Sequence, residues 1–471
     1  MENTKLRSDV IGLLGAATLG VVMLSPAMTM YGVFGPSFLA SGAATPLAFV
    51  WALIATLPTA LSYSVLSRDY PVSGSAAAWA KNALGESFGI WAGWIVFFYY
   101  LTNFIIQPVT LGIFFGDFLK ALHLDIGVAS YIIGVLICTV WAGSLVYRGI
   151  SISAKGALAF LLVEAGVVFS LCVTIIAVAH STGIHLSLEG FTLRSSPTGA
   201  SGVFRAVVFG MLAYCGFDVV STLAEETKMA RKLIPQATLL SLLIYAVFIT
   251  FGVWCLSYGA DSAQLKKIAE AGGMPITEVA HNVWGSGSIL ISITAISATL
   301  GLAIATSVGA SRILYSMARD GLTLPAFGKL HSKYQIPWNS LHMIFACGAI
   351  GAFAVCALVG PYNSYVWWGT TSTFFAMLTY LIVNGANLIL NRTRAFKSLP
   401  NFLLYFLVPT FGFIVDGYIL YRSFFVELIA QDWATGKSVI AFDMLCALVA
   451  LGLALHFKIF KKAPLSLRTE G

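Results

Sequence analysis

Runs of about 20 apolar residues recur along the whole of this 471-residue chain, each long enough to cross the hydrocarbon of a bilayer. Inside hydrocarbon every backbone N–H and C=O must find its partner within the protein, so segments of this length read as helices. Composition agrees: 58% of the residues are hydrophobic and 10% charged, against roughly a quarter charged in soluble domains. Seven cysteines are scattered singly, with neither metal-ligand spacing nor a disulfide framework. The expectation is an all-α polytopic membrane protein without cofactor or metal, and without the nucleophile constellation of an enzyme.

Twelve spans are predicted, near residues 10–40, 43–66, 88–119, 126–146, 156–179, 207–226, 236–258, 286–317, 340–359, 365–390, 401–421 and 438–457. A polar head (1–9) precedes them, a basic tail (458–471) follows, and the loop over 261–284 reads as helical. With an even number of spans both termini share a side. Only seven of the 27 Lys and Arg residues (Lys120, Arg194, Arg205, Lys266, Lys267, Arg422, Lys437) fall on the other side, which places the termini in the cytoplasm. The net charge of +7 is then inner-leaflet bias and implies no nucleic-acid partner.

Two spans cannot be continuous helices. The first is interrupted by Ser25-Pro26, because proline removes a backbone donor and disfavours helix just before it. The sixth breaks at Ala213-Tyr214-Cys215-Gly216-Phe217, followed at once by Asp218. Backbone freed in this way survives at membrane depth only where it lines a cavity, and an acid there is a functional candidate. A packing glycine with a snorkelling Asp218 is the plainer alternative. The two breaks lie five spans apart. Ala80-Lys81-Asn82-Ala83-Leu84-Gly85, before span three, is echoed by Ala280-His281-Asn282-Val283-Trp284-Gly285, before span eight. A five-span repeat must invert, and paired broken helices point to a transporter site. The halves are 10–180 and 181–390, with two additional helices over 391–457.

Three stretches carry a family resemblance: GFDVVSTLAEETKMARKLIP from Gly216, SYSVLSRDYPVSGS from Ser62 and GASRILYSMARDGLTLPAF from Gly309. They resemble the amino acid–polyamine–organocation transporters, and most closely the bacterial putrescine and amino acid importers among them. The resemblance implies a LeuT-like five-plus-five inverted repeat and secondary transport of amines or amino acids. Two features depart from it. Met23-Leu24-Ser25-Pro26-Ala27 stands where many members have Gly-Ser-Gly-Ile-Phe, and Glu164 aligns with a lysine of some members.

Half-helix N-termini attract carboxylates, and C-termini attract ammonium groups. Carbonyls around Met23, Ser25 and Pro26 are therefore expected to hold an amine, and the amides of Ala27 and Met28 a carboxylate. Tyr214, Cys215 and Gly216 offer backbone groups, Phe217 a cover over the ligand, and Asp218 a charge. Tyr99 and Asn103 on span three are further candidates for the wall. A side chain at Gly216 is expected to crowd the cavity and spare the fold.

Small-residue stripes (Gly12, Ala16, Gly20; Gly301, Ala305, Gly309) bring spans one and eight together, placing Thr306 and Ser307 as candidate ion ligands. In membrane helices such hydroxyls commonly bond their own backbone instead. Glu164 lies nine residues past Lys155, or roughly 13 Å into a core about 30 Å thick. It is the candidate proton-coupling acid, the alternatives being a structural role or a counter-charge for a cationic substrate. Glu225, Glu226, Arg231 and Arg319 are expected to form an inner gate. Asp416 and Asp443 read as snorkelling residues near the outer ends of their spans.

Function follows as an expectation: a permease importing an amino acid or polyamine across the cytoplasmic membrane, proton-coupled and working by alternating access. An exchanger of the same fold and a ligand-binding sensor that moves nothing are the alternatives.

Overall fold

The structure is a computed structural model that describes residues 6–182, 187–270, 274–431 and 433–460. The outer parts of the expected head and tail, 1–5 and 461–471, lie outside the described residues. Among the described residues eleven helices are long and apolar enough to cross a membrane, and a shorter apolar helix, Ala200–Ala213, supplies the first half of the sixth span. With it the twelve expected spans are present.

The first span divides into Leu13–Leu24 and Pro26–Gly32, separated by Ser25 alone. After Val33 the chain continues through Phe34–Ser41 and a short turn into the second span, Thr45–Asp69. Span three is Glu86–Ala121, span four Val128–Val146 and span five Ile150–Ser181. The sixth span unwinds after Ala213 and resumes only over Val219–Thr222 and Ala224–Glu226. Spans seven to ten are Ala230–Leu256, Ile289–Arg319, Trp338–Val359 and Pro361–Leu390. The loop before span eight holds the expected helical structure as two helices, Ser262–Glu270 and Pro275–Trp284. The last two spans are Leu399–Val426 and Ser438–His456.

The echo between the halves has a structural meaning. Leu84 ends the helix Ser75–Leu84 just before span three, and Trp284 ends Pro275–Trp284 just before span eight. Each helix is closed by a glycine at positive φ, 92° at Gly85 and 55° at Gly285. Each glycine amide bonds back to the carbonyl four residues earlier, on Lys81 and on His281. Only glycine takes that conformation cheaply, which is why the motif is legible in both copies. Lys81, near the start of span three, reaches Asp320, just past the end of span eight, at 3.5 Å. The two spans are therefore antiparallel, as inverted halves require.

Spans three and eight form the centre. Span eight is buried almost continuously from Ser297 to Ala318. Close approach rests on glycine at Gly309, where a Cβ would stand 2.8 Å from the Tyr100 ring, and at Gly20, where it would stand 2.6 Å from Ser241 Oγ. Gly12, by contrast, faces open space, so the expected stripe on span one works only at its inner positions. Span five presents Leu162, Phe169 and Val173 outward and turns Glu164 inward, where it is 1% exposed.

The snorkelling expected of Asp416 and Asp443 is corrected, since both are fully buried. Asp416 accepts hydrogen bonds from Thr59 at 2.8 Å and from Asn384 at 3.0 Å, tying span eleven to spans two and ten. It was read as close enough to the rim to escape, but its bonds to spans two and ten hold it in.

Candidate functional site

At the first break Ser25 takes φ 39° and ψ 92°, outside the helical region, and Pro26 starts the next half-helix without needing a donor. Ala27 and Met28 are the amides that would bond Met23 and Leu24 in a continuous helix. Here both are redirected. The Ala27 N–H donates to Glu164 Oε1 at 2.7 Å, and the Met28 N–H to Ser25 Oγ at 3.4 Å. Ser25 Oγ itself donates to the same Glu164 oxygen at 3.0 Å. Glu164, from span five, thus sits at the opening of the second half-helix, where its charge suits the positive end of the peptide dipoles. The carboxylate seat expected at Ala27 and Met28 exists and is filled from within the chain.

At the second break Gly216 takes φ 128°, and its N–H donates to Tyr380 Oη at 3.1 Å. Asp218, 1% exposed, accepts from Tyr380 at 2.9 Å, from Tyr99 at 3.2 Å and closely from Tyr100. Three phenols from spans three and ten therefore hold the acid of span six. Tyr380 is central, bonding both the freed amide and the acid. Tyr380→Phe is expected to strand the Gly216 amide, at a cost of about 1–3 kcal/mol for a buried group left unpaired, while Asp218 keeps Tyr99 and Tyr100. A lowered apparent Tm of the detergent-solubilised protein checks it.

Between the breaks lies a cavity of about 170 Å³, running along span three from Tyr99 to Gln107 and along span ten from Ala376 to Tyr365. Of the expected site residues, Met23, Ser25, Met28, Tyr99, Asn103 and Cys215 line it. Pro26, Ala27, Tyr214, Gly216, Phe217 and Asp218 are not among its lining residues. Tyr214 donates instead to the Phe49 carbonyl at 3.2 Å. Phe217 is fully buried, stacked on Tyr380 with ring centroids 5.4 Å apart and edge-on to Tyr63. It packs behind the break and does not cover the cavity. A larger groove of about 470 Å³ beside Val50, Val247 and Trp254 is apolar and lies on the outer flank of spans two and seven.

Thr306 and Ser307 are fully buried, and their hydroxyls donate to their own helix, to Leu302 at 2.8 Å and Ile304 at 3.0 Å. The plainer reading of these two residues is the observed geometry. Gln107 was missed as a site residue, although a glutamine beside a proline inside an apolar span is a visible signal. Tyr380 carried none, being one of 18 tyrosines.

One end of the bundle is sealed by ion pairs. Glu226 meets Arg312 through two hydrogen bonds of 2.9 and 3.1 Å, with both side chains 1% exposed. Glu225 meets Arg319 at 2.6 and 2.8 Å and also accepts from the Ser73 N–H at 3.1 Å. The N-terminal segment closes over them, with Val10 and Ile11 donating to the Glu226 carbonyl and Lys228 to that of Ile11. The expected gate residues Glu225, Glu226 and Arg319 are thus together. Arg231 joins no ion pair among the described residues, and Arg312, which the sequence reading passed over, takes its place.

Residues 19–466 match the family model described as amino acid permease. The chain is 27% identical over 410 residues to the low-affinity putrescine importer PlaP of Escherichia coli (strain K12), covering 85% of each. It is 26% identical over 317 residues to the branched-chain amino acid permease BcaP of Bacillus subtilis (strain 168), covering 64% of this chain and 66% of that one. Among solved structures it is similar to the Eremococcus coleocola manganese transporter, with a TM-score of 0.62 at 11% identity, over 97% and 98% of the two chains. At that identity the likeness concerns the fold.

Proposed function

We propose a transport cycle from one premise: this chain belongs to the amino acid permease family. It is a multi-pass membrane protein and not an enzyme. In our reading it imports an amino acid or a polyamine across the cytoplasmic membrane, with both termini inside, by alternating access. The observation that carries this reading is the cavity itself. It adjoins both broken spans, and the end of the bundle bearing the N-terminus is closed by the pairs Glu226–Arg312 and Glu225–Arg319. Both pairs join span six to span eight, so they must part if spans one and six move against span eight. The bundle of spans one, two, six and seven would rock against the remaining core spans around this cavity, exchanging access between its two sides. That the relatives include a putrescine importer and a branched-chain amino acid permease supports the substrate range.

Import is coupled to protons through Glu164. This acid links span five to the break in span one, so binding or losing a proton there changes the hold of one half-helix and biases the conformations. Glu164→Gln fixes the neutral form. Ligand binding and exchange are expected to persist, while accumulation driven by a pH gradient in proteoliposomes collapses. An unaltered pH profile of accumulation removes Glu164 from coupling. Wild-type counterflow without any gradient, unaccompanied by gradient-driven accumulation, makes the protein an exchanger.

The exposed pair is the lesser part of the gate. Arg319 is 38% and Glu225 21% exposed, so solvent screening leaves the pair about 0–1 kcal/mol of stability. Glu225→Gln is therefore expected to change turnover several-fold with little change in Tm or in apparent affinity. Initial-rate kinetics in proteoliposomes measure both, and a change confined to affinity contradicts the gate assignment.

A further inference from the structure

We infer that the cargo is an amine without a carboxylate, its ammonium group seated against Gln107 Oε1 and the carbonyls of Met23 and Leu24. The inference rests on the transport reading and narrows its substrate. Three observations converge on it.

The two backbone donors at the first break that could hold a carboxylate are spent. The Ala27 amide is bonded to Glu164, and the Met28 amide to Ser25 Oγ. Glu164 is itself a carboxylate in that seat, so a second one arriving would meet like charge as well as an occupied donor. No Lys, Arg or His lines the cavity to replace them.

The acceptors, in contrast, have lost their helical donors. Redirecting those two amides leaves the carbonyls of Met23 and Leu24 without the donors a continuous helix supplies, and both residues line the cavity. Gln107 lines it too and is 2% exposed. Its Nε2 donates to the Asn103 carbonyl at 2.8 Å and to Asn103 Oδ1 at 3.3 Å. A backbone carbonyl can only accept, so the amide orientation is fixed and Oε1 is the free end. That oxygen is buried with no hydrogen-bond partner. A buried acceptor without a partner asks for a donor, and the ammonium of an amine brings three.

The charge also has the right sign. Two acids stand one hydrogen bond behind the cavity wall, Glu164 behind Ser25 and Asp218 behind Tyr99. Whenever either acid is ionised, its field reaches into the cavity with little screening in a poorly polarisable interior. A cation gains from it, and a zwitterion gains less, since its carboxylate is repelled.

The test uses matched pairs that differ by one carboxylate, 1,4-diaminobutane against ornithine and 1,5-diaminopentane against lysine. Binding to the purified full-length protein is measured by calorimetry, and retention in the lumen of proteoliposomes is measured separately. The diamine of each pair is expected to bind at least tenfold more tightly. Gln107→Leu should weaken diamine binding tenfold or more, and Glu164→Ala, by freeing the Ala27 amide, should narrow the preference. If Glu164→Ala does not fold, the wild-type ratios and Gln107→Leu still decide. Amino acids binding as well as their diamines overturn the inference, as does failure of all four ligands to bind. Amino acids that bind better and accumulate leave transport standing while the amine assignment falls. A preferred diamine that never enters the lumen does the reverse.

Discussion

Arg312→Ala is expected to lower the unfolding free energy by about 3–5 kcal/mol, because it leaves Glu226 charged and alone in a fully buried place. The measurement is the apparent Tm of the detergent-solubilised protein. The same change should loosen the sealed end of the bundle, since Glu226 also holds Val10 and Ile11 through its carbonyl. A cysteine placed at Ile11 should then react with a membrane-impermeant thiol reagent faster than in the unaltered protein. Replacing the pair together, Arg312→Met with Glu226→Leu, is expected to restore most of the stability, as apolar pairs of similar volume usually do. It should not restore turnover, because a gate that cannot exchange its partners for water no longer opens in step. Recovery of both would make the pair structural.

Gly216→Ala is expected to reduce transport at least tenfold and to lower stability by about 1–3 kcal/mol. The backbone there stands at φ 128°, a conformation that side chains rarely adopt. A Cβ would also lie 2.9 Å from the Met23 carbonyl oxygen and 2.7 Å from Met23 Cγ. Sequence alone suggests that a side chain at 216 would crowd the cavity and spare the fold. The contact with Met23 shows instead that it would push the two breaks apart, so stability and transport should fall together. Gly166→Ala serves as the control. Gly166 sits within span five with no atom within 4 Å of its Cβ position, so alanine should leave transport unchanged and stabilise slightly. Near-normal uptake by Gly216→Ala would separate the second break from the site.

What the sequence made legible follows from which signals are local. Pro26 and Gly216 violate helix chemistry at mid-span, so both breaks were visible without any partner. Glu164 was found by depth arithmetic on its own helix. Its partners were not, because the bonds to Ser25 and Ala27 cross 139 and 137 residues of chain. The amides of Ala27 and Met28 were therefore left for a ligand, whereas the chain itself supplies their acceptors. Phe217 and Asp218 were sent to the wrong side for a similar reason. The half-helix that follows them, Val219–Thr222, is about one turn long, too short for periodicity to say which face looks into the cavity. Glu226 was expected at an inner gate, while Arg312 counted only among the basic residues of the cytoplasmic side. That they pair in the interior depends on how spans six and eight cross, which no local pattern encodes.

Uptake of radiolabelled 1,4-diaminobutane into proteoliposomes holding only the purified protein tests the central claim most directly. With an inward proton gradient, the account predicts accumulation above the outside concentration, abolished by a protonophore and released when the vesicles are permeabilised. Label that stays bound to protein and never enters the lumen, gradient or none, would contradict it.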